Sequence, residues 1–157
     1  VNAKTRLYPP AGVVKSFKAA LADVAAKADE QPGAGTVEHS GPFRAQVENS
    51  SWVLAEDRPG RPGWIARPGA TGHITFNVTA PLGMAVITYL QTYEGIGTAF
   101  CRLGDGNVTG INAQIVETVS LQAVAVVESV RVNDTETKQL TCWADGQKFK
   151  ILAVNSC

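Results

Sequence analysis

Hydrophobic positions keep two different periods along this chain. Between residues 13 and 29, Val14, Phe17, Leu21, Val24 and Ala28 recur at helical spacing, with Lys15, Lys18, Asp23 and Lys27 on other faces. That predicts one amphipathic helix of about four turns. Gln31-Pro32-Gly33 ends it, because proline cannot continue a helix and glycine favours the exit conformation. Beyond Phe43 the period becomes two. Stretches 71–78, 84–93, 97–103, 118–127, 138–143 and 148–154 are rich in Val, Ile, Thr and aromatics and are separated by Gly, Pro, Asn and Asp. Two shorter candidates are 51–55 and 64–67. In the run 73–78, Ile74, Phe76 and Val78 face one way and Asn77 the other; Phe149, Ile151 and Ala153 alternate with Lys148, Lys150 and Leu152.

Many short strands with irregular spacing predict an all-β fold: a jelly-roll-like antiparallel β-sandwich preceded by one N-terminal amphipathic helix. The expected division is a lead-in, helix and linker over 1–36 and a sandwich over 37–157. A chain of 157 residues is one domain's length. Fourteen basic residues balance fourteen acidic ones, which removes the main argument for nucleic acid as a partner. No apolar run is long enough for a membrane-spanning helix.

Four Asn-x-Ser/Thr sequons, at Asn49, Asn77, Asn107 and Asn133, point to a secreted or extracellular glycoprotein. Cys101 and Cys142 each lie near the end of a predicted strand and are expected to bridge two strands, three reduced core cysteines being the alternative. Cys157 is then the odd one, expected to be bonded to neither and open to a partner.

Chemistry is sparse. There is no G-x-S-x-G or G-D-S block, and His39 and His73 are the only histidines. His39 reads as part of a polar linker and His73 as an outward strand residue. The histidines and cysteines lack metal-ligand spacing, so neither metal nor cofactor is expected. The remaining candidates suit ligand binding: Arg58, Arg61, Trp64, Tyr93 and Glu94, types that stack on sugars or form charged hydrogen bonds. Trp52, Tyr89 and Trp143 belong to the same residue class but read as core. The loop from Asp57 to Trp64, with two prolines and two glycines, is expected to be rigid. It serves either as a partner's anchor or as a clamp in which Asp57 pairs with Arg58 or Arg61.

The run Asp57-Arg58-Pro59-Gly60-Arg61-Pro62-Gly63-Trp64-Ile65, then Pro68-Gly69, Tyr89-Leu90-Gln91-Thr92-Tyr93-Glu94-Gly95-Ile96-Gly97 and Cys101, resembles the C-terminal β-sandwich region of secreted SGNH-hydrolase-like proteins of green algae and land plants. Trp52, Cys142 and Phe149-Lys150 fit as well, so the resemblance covers about residues 43–155. The family's nucleophile block and other catalytic blocks are missing from this sequence, so the resemblance implies an accessory sandwich and no esterase activity. The resulting expectation is a non-catalytic cell-surface or cell-wall module that binds a partner glycoprotein or a polysaccharide. The alternatives are the accessory domain of an SGNH-type carbohydrate esterase, or a structural subunit of an extracellular assembly joined through Cys157 or the helix.

Overall fold

The computed structural model describes residues 37–38, 44–131 and 135–156. Within them run eleven strands: β1 (Val37–Glu38), β2 (Gln46–Val47), β3 (Trp52–Ala55), β4 (Gly63–Ala66), β5 (Ile74–Thr79), β6 (Met84–Gln91), β7 (Thr98–Leu103), β8 (Thr109–Asn112), β9 (Leu121–Glu128), β10 (Thr137–Ala144) and β11 (Phe149–Ser156). They form a six-stranded sheet in the order β1-β2-β5-β10-β7-β8 and a five-stranded sheet in the order β3-β4-β11-β6-β9. Every registered strand pair is antiparallel. The all-β, two-sheet architecture matches the period-two reading. The helix expected at 13–29, His39, Asn133 and Cys157 lie outside the described residues. Among the described residues no helix is long and apolar enough to cross a membrane.

Alternation decides which side chains enter the core. Ile74 and Phe76 of β5, Leu140 and Cys142 of β10, and Ala99, Cys101 and Leu103 of β7 line the inner face of the six-stranded sheet. Trp52, Trp64, Ala66, Tyr89, Phe149 and Ile151 do the same for the five-stranded sheet. Tyr89 stacks on Phe149 with centroids 5.7 Å apart, and Trp52 meets the same ring edge-on at 6.5 Å. The buried Trp52 indole N–H donates to the Gly72 carbonyl at 3.3 Å, so the large ring enters the core without leaving a donor unpaired. Cys101 and Cys142 are directly opposite on β7 and β10 and are bridged. The bridge joins neighbouring strands of one sheet.

Two sequence readings need correction. A bulge between Ile151 and Ala153 of β11 sets Ala153 opposite Thr88 and Val154 opposite Ile87. Val154, not Ala153, therefore packs on the core after Ile151. The strands β1, β2 and β8 went unread, and β9 starts at Leu121, three residues later than its predicted start.

Trp64 is 1% exposed and among the largest buried side chains. Trp64→Ala should lower stability by about 3–5 kcal/mol in urea unfolding. An unchanged unfolding midpoint would show that the ring does not support the sandwich.

Candidate functional site

The five residues predicted to bind ligand do not act together. Trp64 drops out, since its ring lies in the core and offers no face to a ligand. Tyr93 and Glu94 lie between β6 and β7, whereas Arg58 and Arg61 belong to the loop between β3 and β4, which folds onto β11. There the Lys150 ammonium pairs with the Asp57 carboxylate and donates to the Arg61 carbonyl at 2.6 Å, while Lys148 reaches the other Asp57 oxygen at 3.0 Å. Asp57 thus pairs with two lysines and not with Arg58 or Arg61, as the sequence had suggested. Lys150 is 1% exposed and the Asp57 side chain 11%. Gly63 makes room: a Cβ there would stand 2.5 Å from the Ile151 carbonyl oxygen and 3.0 Å from Lys150 Cε.

Burial by itself raises the Asp57 pKa, but hydrogen bonds from Lys150 and Lys148 outweigh it and hold the carboxyl below its usual range. Burial pushes the Lys150 ammonium down, and Asp57 only partly restores it. The loop is a clamp closed by a buried ion pair, and the polar groups it brings together are already paired with one another.

Arg58, Tyr93 and Glu94 do meet, at the surface. The Arg58 guanidinium lies 3.5 Å from the Glu94 carboxylate, with side chains 48% and 59% exposed. A hydrogen bond to Glu94 raises the pKa of the Tyr93 hydroxyl. A ligand here would have to compete with an internal acid–base pair.

A different surface forms on the outer face of the six-stranded sheet. Because Cys101 and Cys142 point inward, their neighbours Phe100 and Trp143 point outward and stand opposite each other. Their centroids are 6.0 Å apart, with ring planes within 27°. His73, leading into β5, meets the other side of Trp143 at 5.4 Å. Beyond Phe100 the row ends at Gly110 of β8, which adds no side chain. His73, Trp143 and Phe100 therefore make one aromatic row across three adjacent strands. Glu48 holds the His73 ring, its carboxylate 2.7 Å from Nδ1 and 3.3 Å from the backbone N–H. The hydrogen bond to the His73 ring lowers the Glu48 pKa.

The next row of this face carries Thr75 and Thr141, whose hydroxyls are 3.3 Å apart, followed by Asn77 and Gln139. Arg44, Ala45, Gln46, Thr75 and Asn77 line a shallow depression beside them. The face thus combines aromatic rings with hydroxyls and amides that can donate and accept, and Arg102, opposite Thr141, and Arg44 add positive charge beside them. Of its ring residues, sequence reasoning placed Trp143 in the core, treated His73 as an ordinary surface residue and overlooked Phe100. The missing signal was the cysteine pair: bridged inward at 101 and 142, it forces 100 and 143 to share the outer face.

Among the sequons, Asn49 and Asn107 are exposed outside the strands, and Asn77 is exposed in the middle of β5. Among the described residues no group of three His, Cys, Asp or Glu side chains converges as a metal site.

No family model matches the chain, and no curated protein matches it in sequence. Among solved structures, a two-domain esterase active on acetylated mannans is similar over 79% of this chain and 37% of its own, with a TM-score of 0.51 at 14% identity. The same esterase co-crystallised with mannopentaose gives 76%, 34%, 0.51 and 14%. A family 35 carbohydrate-binding module from Clostridium thermocellum is similar over 79% of this chain and 100% of its own, with a TM-score of 0.49 at 17% identity. The chain spans about a third of the esterase's length. At this identity the likeness to the esterase shows a shared β-sandwich fold.

The clamp sets a pH expectation. The folded pKa of Asp57 lies below its unfolded value, about 3.9. Its contribution is therefore complete above that value and is lost as the pH falls through the lower folded one. At neutral pH, Asp57→Asn should cost about 3–5 kcal/mol, because Lys150 is left charged and buried. The variant should also lose part of the acid limb of the stability profile. Urea titrations from pH 2 to 7 would check both, and an Asp57→Asn protein as stable as the parent would contradict the clamp.

Proposed function

We propose that this chain is a non-catalytic, secreted or cell-surface module that binds a neutral cell-wall polysaccharide on the outer face of its six-stranded sheet. The observation that carries this reading is the row His73, Trp143 and Phe100, flanked by Thr75, Thr141, Asn77 and Gln139. A pyranose ring has one face of C–H bonds and a rim of hydroxyls. The first lies flat on an aromatic ring, and the second requires partners that both donate and accept. This row supplies the rings, and the threonines and amides supply the partners. The opposite outer face is unlike it: β9 exposes Val124 and Val126, and Asp57 and Lys150 are closed on each other.

A second reading is favoured by the fold shared with part of an esterase active on acetylated mannans. In it, this module is the accessory half of a carbohydrate esterase and holds the catalytic half near its polymer. Both readings make the same demand on the aromatic row. Co-crystallisation of that esterase with mannopentaose makes mannan the first polymer to try.

Unglycosylated protein should be retarded in native gels containing linear mannan or another neutral β-glycan, and Trp143→Ala should weaken binding at least about tenfold, the loss of an aromatic contact worth ~1.5 kcal/mol. Its stability should fall by no more than about 1 kcal/mol, the scale of a cross-strand pair. Phe100→Ala should act in the same direction. If Trp143→Ala binds as the parent does, the rings merely support the sheet. If binding instead vanishes with Tyr93→Ala, the loop cluster is the site.

A further inference from the structure

One of the four sequons stands within the proposed binding face. Asn77 begins Asn77-Val78-Thr79, and both Asn77 and Thr79 are exposed on β5. The outward positions run Asn77, Thr75, His73 along β5 and Gln139, Thr141, Trp143 along β10. Four residues of antiparallel strand put Asn77 about 14 Å from the aromatic row. Between them lie only the threonine pair and the depression that Asn77 itself helps to line. Asn49, in the turn that follows Glu48, and Asn107, in the loop before β8, are exposed outside the strands.

We propose that N-glycosylation of Asn77 switches this face off. The inference rests on the polysaccharide-binding reading above. In a secretory compartment the donor is a polyprenyl-diphosphate-linked oligosaccharide. Asn77 Nδ2 forms a bond to the anomeric carbon, the bond from that carbon to the diphosphate oxygen breaks, the diphosphate carrier leaves with the electron pair, and the amide gives up one proton. The attached oligosaccharide is long enough to lie over Thr75, Thr141 and Trp143. It is chemically the kind of ligand the face is built for, and it is tethered beside it. A short flexible tether holds such a group at an effective concentration on the order of millimolar, enough to exclude an external chain that binds with ordinary affinity. The module would then leave the cell in two forms, set by occupancy at Asn77: one silent and one able to bind.

The test uses the full chain secreted from a glycosylating eukaryotic host, with occupancy read by intact mass and peptide mapping, and mannopentaose and linear mannan as probes. Protein glycosylated at Asn77 should bind roughly tenfold or more weakly than the same chain produced in a host that does not glycosylate it. Thr79→Ala, which destroys the sequon, should bind tightly when secreted from the same host. Thr79→Ala keeps the Asn77 amide, so it separates the glycan's effect from that of the side chain. Asn107→Gln should leave the parent's weak binding unchanged. Equal binding by protein occupied at Asn77 and by the unglycosylated chain would overturn the proposal, as would an Asn77 that stays bare in the secreted chain. If protein made without any glycan fails to bind, the polysaccharide reading itself falls and the switch falls with it.

Discussion

The register of β7 against β10 is the constraint on which both core and surface depend. With Cys101 opposite Cys142, every second residue of these strands is assigned a side: Ala99, Leu103 and Leu140 go inward with the cysteines, and Phe100 and Trp143 go outward. A slip of one residue would exchange the two sets, exposing the apolar ones and burying the others. The disulfide fixes that register covalently. The aromatic row is thus a by-product of the packing, positioned by the same alternation that fills the interior. β10 sits between β5 and β7, and its second register, with β5, sets Thr75 against Thr141 and brings His73 to Trp143.

The two sheets use their outer faces differently. On the five-stranded sheet, Val53, Ala55 and Ile65 form a second buried cluster, and the β3–β4 loop is tied down through Asp57 to Lys148 and Lys150. Burying Lys150 is costly, and it is tolerated because its ammonium reaches both a carboxylate and a carbonyl. That device holds a loop in place and leaves little to offer a partner. The six-stranded sheet keeps its outer face open, with rings and hydroxyls side by side and Arg102 opposite Thr141.

Much of the fold was legible in the sequence because alternation persists wherever one face is buried. The runs at β5, β6 and β7 show it plainly. β1 and β2 have two residues each, too few to display a period, and β8 contains Gly110 and ends at Asn112, residue types that read as turn. The bulge at Leu152 breaks the alternation of β11 without any Gly or Pro to mark it. Lys150 reads as a surface residue by type, and only the fold shows Asp57 arriving beside it. The candidate site was less legible for a related reason. A tryptophan in a β-sandwich is usually core, which held for Trp52 and Trp64 but not for Trp143. The Arg-rich loop attracted attention by composition, whereas the aromatic row is dispersed over residues 73, 100 and 143 and exists only once the strands pair.

The chain has three tryptophans, and only Trp143 lies outside the core cluster. The most direct measurement follows from this: a titration of isotope-labelled, unglycosylated protein with mannopentaose, watched through the three indole N–H resonances and the backbone amides. The Trp143 indole and the amides of β5, β7 and β10 around His73 and Phe100 should shift together and saturate, while the indoles of Trp52 and Trp64 stay still. Saturating shifts confined to Arg58, Tyr93 and Glu94, with Trp143 unmoved, would place the ligand elsewhere and contradict the account.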